Sequence, residues 1–373
     1  MTKLVFAALA AAFILAATGC ERENVPARQL AEGEISAILL TDSSGIDDRS
    51  FNAAAWQGLL DFYGEDWGYT PTRASLFNFM TAEDDLALVP NMRLAVEEGF
   101  DLIVAAGYTW ADAVSEVARL HPDQNFLFVD VDGLNLPNVM EAVFADHEGS
   151  FLVGAAAALT ALEEGIENPR FGFIGGMAGA VITRFHVGFV QGVLSVIPDA
   201  DVIDFYVNSW DEPALARTQA FNWFNDGVFA IFSAAGASGN GAIVEAVAQR
   251  QAGRNVWAIG VDSDQFWVGL YPSHTEGPYS AVLTSMLKRV EESVIYALTA
   301  VAEGNFYGRT MVFDLPKEGV GISTTNPALS HSVIEQVEAK RQAIIAGDIV
   351  VVPTLAEAVL LPGFPQNLMA IDG

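Results

Sequence analysis

From residue 35 onward, short apolar runs alternate with stretches whose apolar positions recur at helical spacing. Ile35 to Leu40 reads as a first buried strand, and Phe51 to Tyr63 as the helix that follows it. Leu102 to Ala105 and Phe126 to Val129 read as further buried strands. Phe171 to Ile174 opens a second series, which Ala230 to Ser233 and Val256 to Val261 continue. Strands separated by helices predict parallel α/β sheets. Ser280 to Val301 is predicted as a long amphipathic helix, and Met311 to Ile322 as an extended segment. Their place after the second series predicts a chain that crosses back and forth, and three crossings make a hinge.

The two series look like copies. Phe51 lies seven residues before Gly58, and Phe185 seven before Gly192, each in a helix after the opening strand of its series. Gly99 to Gly107 (GFDLIVAAG) parallels Gly227 to Gly236 (GVFAIFSAAG) with one extra residue. Asn125 to Asp132 (NFLFVDVD) parallels Asn255 to Asp262 (NVWAIGVD), which pairs Asp132 with Asp262. Three matches in the same order predict two similar α/β lobes, each near ordinary domain size. Doubly wound lobes present their strand carboxyl ends to a shared cleft, where ligands bind.

The chain opens differently. Met1-Thr2-Lys3 is a short basic start, and Leu4 to Thr18 an almost unbroken apolar run ending at Gly19-Cys20. About 15 apolar residues suit a signal segment better than a bilayer span, which needs ~20. The small residues Ala16-Ala17-Thr18-Gly19 before Cys20 resemble a bacterial lipoprotein signal, in which that thiol is lipidated and residues 1–19 are removed. Ala17 departs from that pattern, which usually has Leu there. The alternative is an ordinary secretory signal with a chance cysteine. Residues 20–34 are polar, contain Pro26 and read as a flexible tether.

Composition narrows the function. With 51% hydrophobic residues in 373, the chain supports one or two globular domains and is too apolar to be disordered. Lys and Arg number 18 against 47 Asp and Glu, a formal charge of −29. Such a surface repels nucleic acid and anionic lipid and favours a neutral or cationic small partner. A saline habitat is the competing explanation of the acid excess. The single cysteine excludes an internal disulfide, a thiolate metal cluster and a CxxC redox pair.

No catalytic set emerges. The histidines (His121, His147, His186, His274, His331) show no metal-binding spacing. Neither a GxSxG elbow nor a P-loop is present. Gly172 to Gly179 follows a strand but lacks GxGxxG spacing, and Asp130-Val131-Asp132-Gly133 lacks the rest of a calcium loop. We therefore expect no metal and no cofactor.

Binding candidates fall just after strands. Asp42 to Asn52 (DSSGIDDRSFN) opens the first helix, with Ser50 or Asp48 as its cap. Capping does not explain Phe51 and Asn52 at a cleft. Aromatic faces stack on flat ligands, and Asn pairs with both donors and acceptors. Phe51 and its counterpart Phe185 sandwich a flat ring, or else are two core residues among 24 phenylalanines. Asp130 and Asp262 end strands and suit vicinal hydroxyls or a ring N–H, or else shape turns. Gly236 to Gly241 (GASGNG) permits close backbone approach, or is a plain tight turn. Lys288, among apolar neighbours, is either a solvent-facing charge or a cleft cation.

Together these segments resemble the basic membrane protein family, lipoproteins related to the purine nucleoside receptor of spirochaetes. The resemblance is carried by LLTDSSGIDDRSFNAAAWQGL, VFADHEGSFLVGAAAAL, FGFIGGMAGAVITRFHVGFVQG, SAAGASGNGAI, AIGVDSDQ, SMLKRVEESV and IIAGDIVVVPT, from about Ile35 to Thr354. It implies a type I periplasmic binding protein fold: two Rossmann-like lobes joined by a three-crossing hinge. The first lobe would comprise 35–148 and 279–318, the second 149–278 and 319–373. It implies ligand positions at Asp42, Phe51, Asn52, Asp130, Phe185, Gly236, Asp262 and Lys288. Phe51 and Phe185 would stack on the base, Asp262 and Lys288 hold ribose hydroxyls, and Asp130 and Asn52 meet base edges. Ala237-Ser238 stands where the family often has Gly-Thr, and Trp267 to Pro278 is long and aromatic.

The resulting expectation is a lipid-anchored, extracytoplasmic monomer that captures purine nucleosides for the permease of an ABC importer. The alternative is a binding or sensory protein of the same fold for another neutral solute, such as a sugar. An α/β enzyme lacks its nucleophile, base and cofactor motif.

Overall fold

The first strand, β1 (Ala37–Thr41), is buried at every position, as a strand covered on both faces by helices must be. A computed structural model describes residues 30, 33–272 and 279–370. Cys20, the signal segment 1–19 and most of the tether lie outside the described residues. From β1 the chain runs through α1 (Phe51–Tyr63), β2 (Phe77–Thr81), α2 (Asp85–Glu97), β3 (Leu102–Ala106), α3 (Ala111–Leu120), β4 (Asn125–Val129) and β5 (Val139–Phe144). It continues through α4 (Asp146–Glu163), β6 (Arg170–Gly175), α5 (Ala180–Leu194), β7 (Asp201–Tyr206), α6 (Pro213–Asn225), β8 (Val228–Ala234), α7 (Asn240–Gln251) and β9 (Trp257–Asp262). The remainder comprises β10 (Leu270–Tyr271), β11 (Tyr279–Ser280), β12 (Val282–Lys288), α8 (Val290–Ala302), β13 (Arg309–Phe313), β14 (Val320–Ile322), α9 (His331–Ala346) and α10 (Leu355–Ala358).

Two six-stranded sheets result, in the orders β13-β5-β4-β3-β1-β2 and β14-β12-β9-β8-β6-β7. The orders superpose strand for strand, so the repeat read from the sequence is a repeat of topology. Among the described residues the first sheet is wholly parallel, and β14 alone runs antiparallel in the second. The chain passes between lobes after β5, after β12 and after β13, which is the three-crossing hinge.

Three expectations need correction. Ser280 to Val301 is not one helix. Val282–Lys288 forms β12, and only Val290–Ala302 is helical. A buried apolar run has no periodicity to separate strand from helix. Ala281 to Met286 is buried throughout. Consequently residues 282–288 pair with β9 in the second sheet, not the first lobe. Met311 to Ile322 is likewise two strands, one in each sheet, separated by a 3₁₀ turn at Leu315–Lys317. The paired glycines mark close helix approach. A Cβ at Gly58 would fall 2.7 Å from the Glu291 carbonyl oxygen in α8, and one at Gly192 2.0 Å from that of Phe151 in α4.

Candidate ligand site between the lobes

The strand carboxyl ends of both sheets face a chamber between the lobes, the position at which doubly wound folds bind ligands. Asp42, Phe51, Asn52, Asp130, Phe185, Gly236, Asp262 and Lys288 all line it. Sequence reasoning missed Ser44, Asp48, Tyr108 and Trp210 on its wall. Tyr108 directly follows Gly107, the repeat counterpart of Gly236, which could have revealed it. Trp210 follows β7 and carries no repeat signal.

The loop after β1 is folded by its own carboxylates. Asp48 accepts the backbone N–H groups of Ser50, Asn52 and Ala53 at 2.8–2.9 Å, and so caps α1. Ser50 occupies the cap position but makes no side-chain cap bond. Its hydroxyl instead donates to Asp262 Oδ2 at 2.6 Å across the cleft. Burial pushes the Asp48 carboxyl up to about 7, against the pull of those three bonds. Asp42 Oδ1 accepts from Asn52 Nδ2 at 2.9 Å and from the Ser44 N–H at 3.0 Å. Burial raises the Asp42 carboxyl as well. The Asn52 side chain is thereby oriented, and its buried Oδ1 has no partner among the described residues.

Asp130 (φ 71°) and Asp262 (φ 63°) both take the left-handed conformation at strand ends, which Asp tolerates better than most residues. They are structural equivalents. The expected pairing of Asp132 with Asp262 fails because β4 starts at Asn125 itself, whereas β9 starts two residues after Asn255. Asp132 is exposed. Burial lifts Asp262 to about 7, partly opposed by the Lys288 charge and the Ser50 hydroxyl and reinforced by Asp130 and Asp146.

Lys288, 1% exposed, is a cleft cation and not a solvent-facing charge. Its Nζ lies 2.6 Å from Asp130 Oδ1 and 3.1 Å from Asp146 Oδ1. Arg184 Nε adds a bond to Asp146 Oδ2 at 3.1 Å. Burial alone would lower the lysine pKa, but Asp130, Asp146 and Asp262 together hold it above the ordinary value. The ammonium also sits 5.2, 5.0 and 5.2 Å from the ring centroids of Phe51, Phe144 and Phe185, within cation–π range.

Phe51 and Phe185 thus reach one chamber from opposite lobes. Phe51 is half-buried and opens α1. Phe185 is only 2% exposed and packs on Phe232, so it is a core residue as well as a wall residue. It stands in the second turn of α5, because that helix begins at Ala180. Gly236 (φ 55°) needs its left-handed backbone. Tyr108 and Trp210 meet edge to face at 6.0 Å across the cleft. Burial, then Asp42 and Asp130, push the Tyr108 hydroxyl up to about 12, so it stays a neutral donor.

Two Rossmann-like lobes closed on a chamber with aromatic and carboxylate walls define a solute-binding protein of the type I periplasmic class. The chain belongs to the family described as ABC transporter substrate-binding protein PnrA-like, which it matches over residues 35–354. That family binds substrates for ABC transporters, so the chain's partners are a small solute and a permease. A Listeria innocua protein named CD4+ T-cell-stimulating antigen is 35% identical over 85% of this chain and 87% of its own. The Lactococcus lactis ABC transporter nucleoside-binding protein BmpA is 32% identical over 95% of this chain and its full length. In structure, an ABC transporter solute-binding protein of Aeropyrum pernix matches with a TM-score of 0.74 at 24% identity, over 87% of this chain and 96% of that one.

Proposed function

We propose that this protein captures purine nucleosides in the inter-lobe chamber and delivers them to an ABC importer. The observation that carries this reading is the pairing of Phe51 and Phe185, from opposite lobes, in one chamber with the unpartnered Asn52 Oδ1 and the strand-end carboxylates. A purine presents two flat faces on which aromatic rings stack, and its N–H groups answer an orphaned acceptor. The ionised Asp262 suits ribose hydroxyls, since a carboxylate is an acceptor only. The naming of a relative as nucleoside-binding supports the same choice. Lys288 is engaged by Asp130 and Asp146, so we assign it to orienting Asp130 rather than to the ribose directly.

In the same reading the protein acts as a monomer outside the cytoplasm, held to the membrane by lipid on Cys20. A thermal-shift panel of nucleosides, free bases and sugars tests the ligand class. Stabilisation by inosine or guanosine supports it. Stabilisation by a sugar alone would favour another neutral solute.

A further inference from the structure

We propose that the loop Ser44–Ser50 is the latch of lobe closure, and that Asn240 and Gln265 set ligand affinity as positioning residues without lining the chamber. The carbonyls of three consecutive residues in this first-lobe loop each accept a donor from the second lobe. Asn240 Nδ2 reaches the Asp48 carbonyl at 2.9 Å, Gln265 Nε2 the Arg49 carbonyl at 3.0 Å, and Ser263 Oγ the Ser50 carbonyl at 3.2 Å. Arg49 adopts φ 58°, which turns the chain so that successive carbonyls point outward. The Asp48 carboxylate fixes the loop from inside through three backbone N–H groups. The second-lobe side is equally fixed: Gln265 Oε1 accepts the Val261 N–H at 3.0 Å, and Gln265 Nε2 also lies 3.4 Å from Asn240 Oδ1.

These bonds join residues on different lobes, so they exist only when the lobes are together. They therefore add free energy to the closed state alone. A ligand that binds the closed state gains affinity in proportion to that population. Neither Asn240 nor Gln265 is among the chamber walls, so their effect does not depend on which solute is bound. The inference rests on the two-lobed binding fold and stands apart from the purine assignment.

The test uses Asn240→Asp and Asn240→Ala in the full chain carrying Cys20→Ser, with Asn255→Ala as an exposed second-lobe control. Stopped-flow tryptophan fluorescence with inosine reads association and dissociation. Loss of one neutral hydrogen bond should raise the dissociation rate roughly two- to twelvefold, with association little changed and the control like wild type. Wild-type dissociation in both Asn240 variants would overturn the latch. In parallel, spin labels at Leu86→Cys and Thr218→Cys read the lobe separation without ligand. Asn240→Asp should shift that distribution to longer distances, and an unchanged distribution would also overturn the latch. If the wild type does not bind inosine, the purine reading fails, and the distance measurement alone decides the latch.

Discussion

The Lys288 ammonium, at the end of a strand in the second sheet, lies 2.6 Å from the Asp130 carboxylate at the end of a strand in the first. This ion pair spans the cleft at the hinge, and Asp146, fully buried at the first crossing, shares the same cation. Removing one partner from a buried ion pair strands a charge, which costs far more than the pair contributes.

Lys288→Met should therefore destabilise the protein by about 3–5 kcal/mol, read from the urea midpoint. Adding Asp130→Asn should recover part of that loss, because one stranded carboxylate is then neutral. A midpoint equal to wild type in Lys288→Met would show that the lysine is not held as a charge.

Phe51→Ala should cost ~1–3 kcal/mol of nucleoside binding, the range for base–aromatic stacking. Phe51 is half-buried, so the fold should tolerate the change. Phe185→Ala should lose affinity and also about 3–5 kcal/mol of stability, because the side chain is 2% exposed and packs on Phe232. Calorimetry and denaturant unfolding on both variants separate the two effects. Unchanged affinity in Phe51→Ala would remove it from the site.

Asp262 gives a pH signature with two opposite signs. Its carboxyl is raised from an ordinary 3.8 to about 7 in the folded chain, so between those values the folded state holds a proton that the unfolded state has lost. Its contribution to stability is thus largest near pH 4 and declines as pH rises toward 7. Nucleoside affinity should move the other way, rising from pH 6 to 8 as the carboxylate forms. Asp262→Asn should flatten the affinity profile and remove its own share of the stability profile, while Asp48, also raised to about 7, keeps its share. It should also weaken a nucleoside more than its free base, and equal losses would mean that Asp262 organises the lobe without meeting the ribose.

Much of the architecture was legible because each lobe repeats the other. The runs opening at Ile35, Leu102, Phe126 and Phe171 stand out as apolar stretches after polar turns and fall within two residues of the starts of β1, β3, β4 and β6. The failures have local causes. Ala281 to Met286 is buried throughout, so its pattern does not distinguish strand from helix. Asp132 was matched to Asp262 because the two octets align by letters, whereas their strands begin at different offsets. Every residue chosen for the ligand lines the chamber, since most of them were selected for following strand ends. Trp210 and the Asn240 bond to Asp48 were out of reach. The latter joins residues 192 positions apart in different lobes, and no local pattern encodes it.

Gly192→Ala should be poorly tolerated. Its new Cβ would sit 2.0 Å from the Phe151 carbonyl oxygen, which forces α4 and α5 apart. Overpacking of this kind typically costs about 1–3 kcal/mol, and a lowered melting temperature is the expected result. An unchanged melting temperature would mean that the helices adjust freely.

Fractionation of cells expressing Cys20→Ser tests the anchor. The variant should leave the membrane fraction, and its retention there would mean that another element holds the protein.

The most direct measurement is calorimetric titration of the purified protein with inosine, inosine monophosphate, hypoxanthine and ribose. A purine stacked between Phe51 and Phe185, with its sugar at Asp262, predicts that the nucleoside binds more tightly than either of its halves. The formal charge of −29 predicts that the monophosphate binds far more weakly than the nucleoside. Tighter binding of the monophosphate, or binding of ribose with none of inosine, would contradict the proposed ligand.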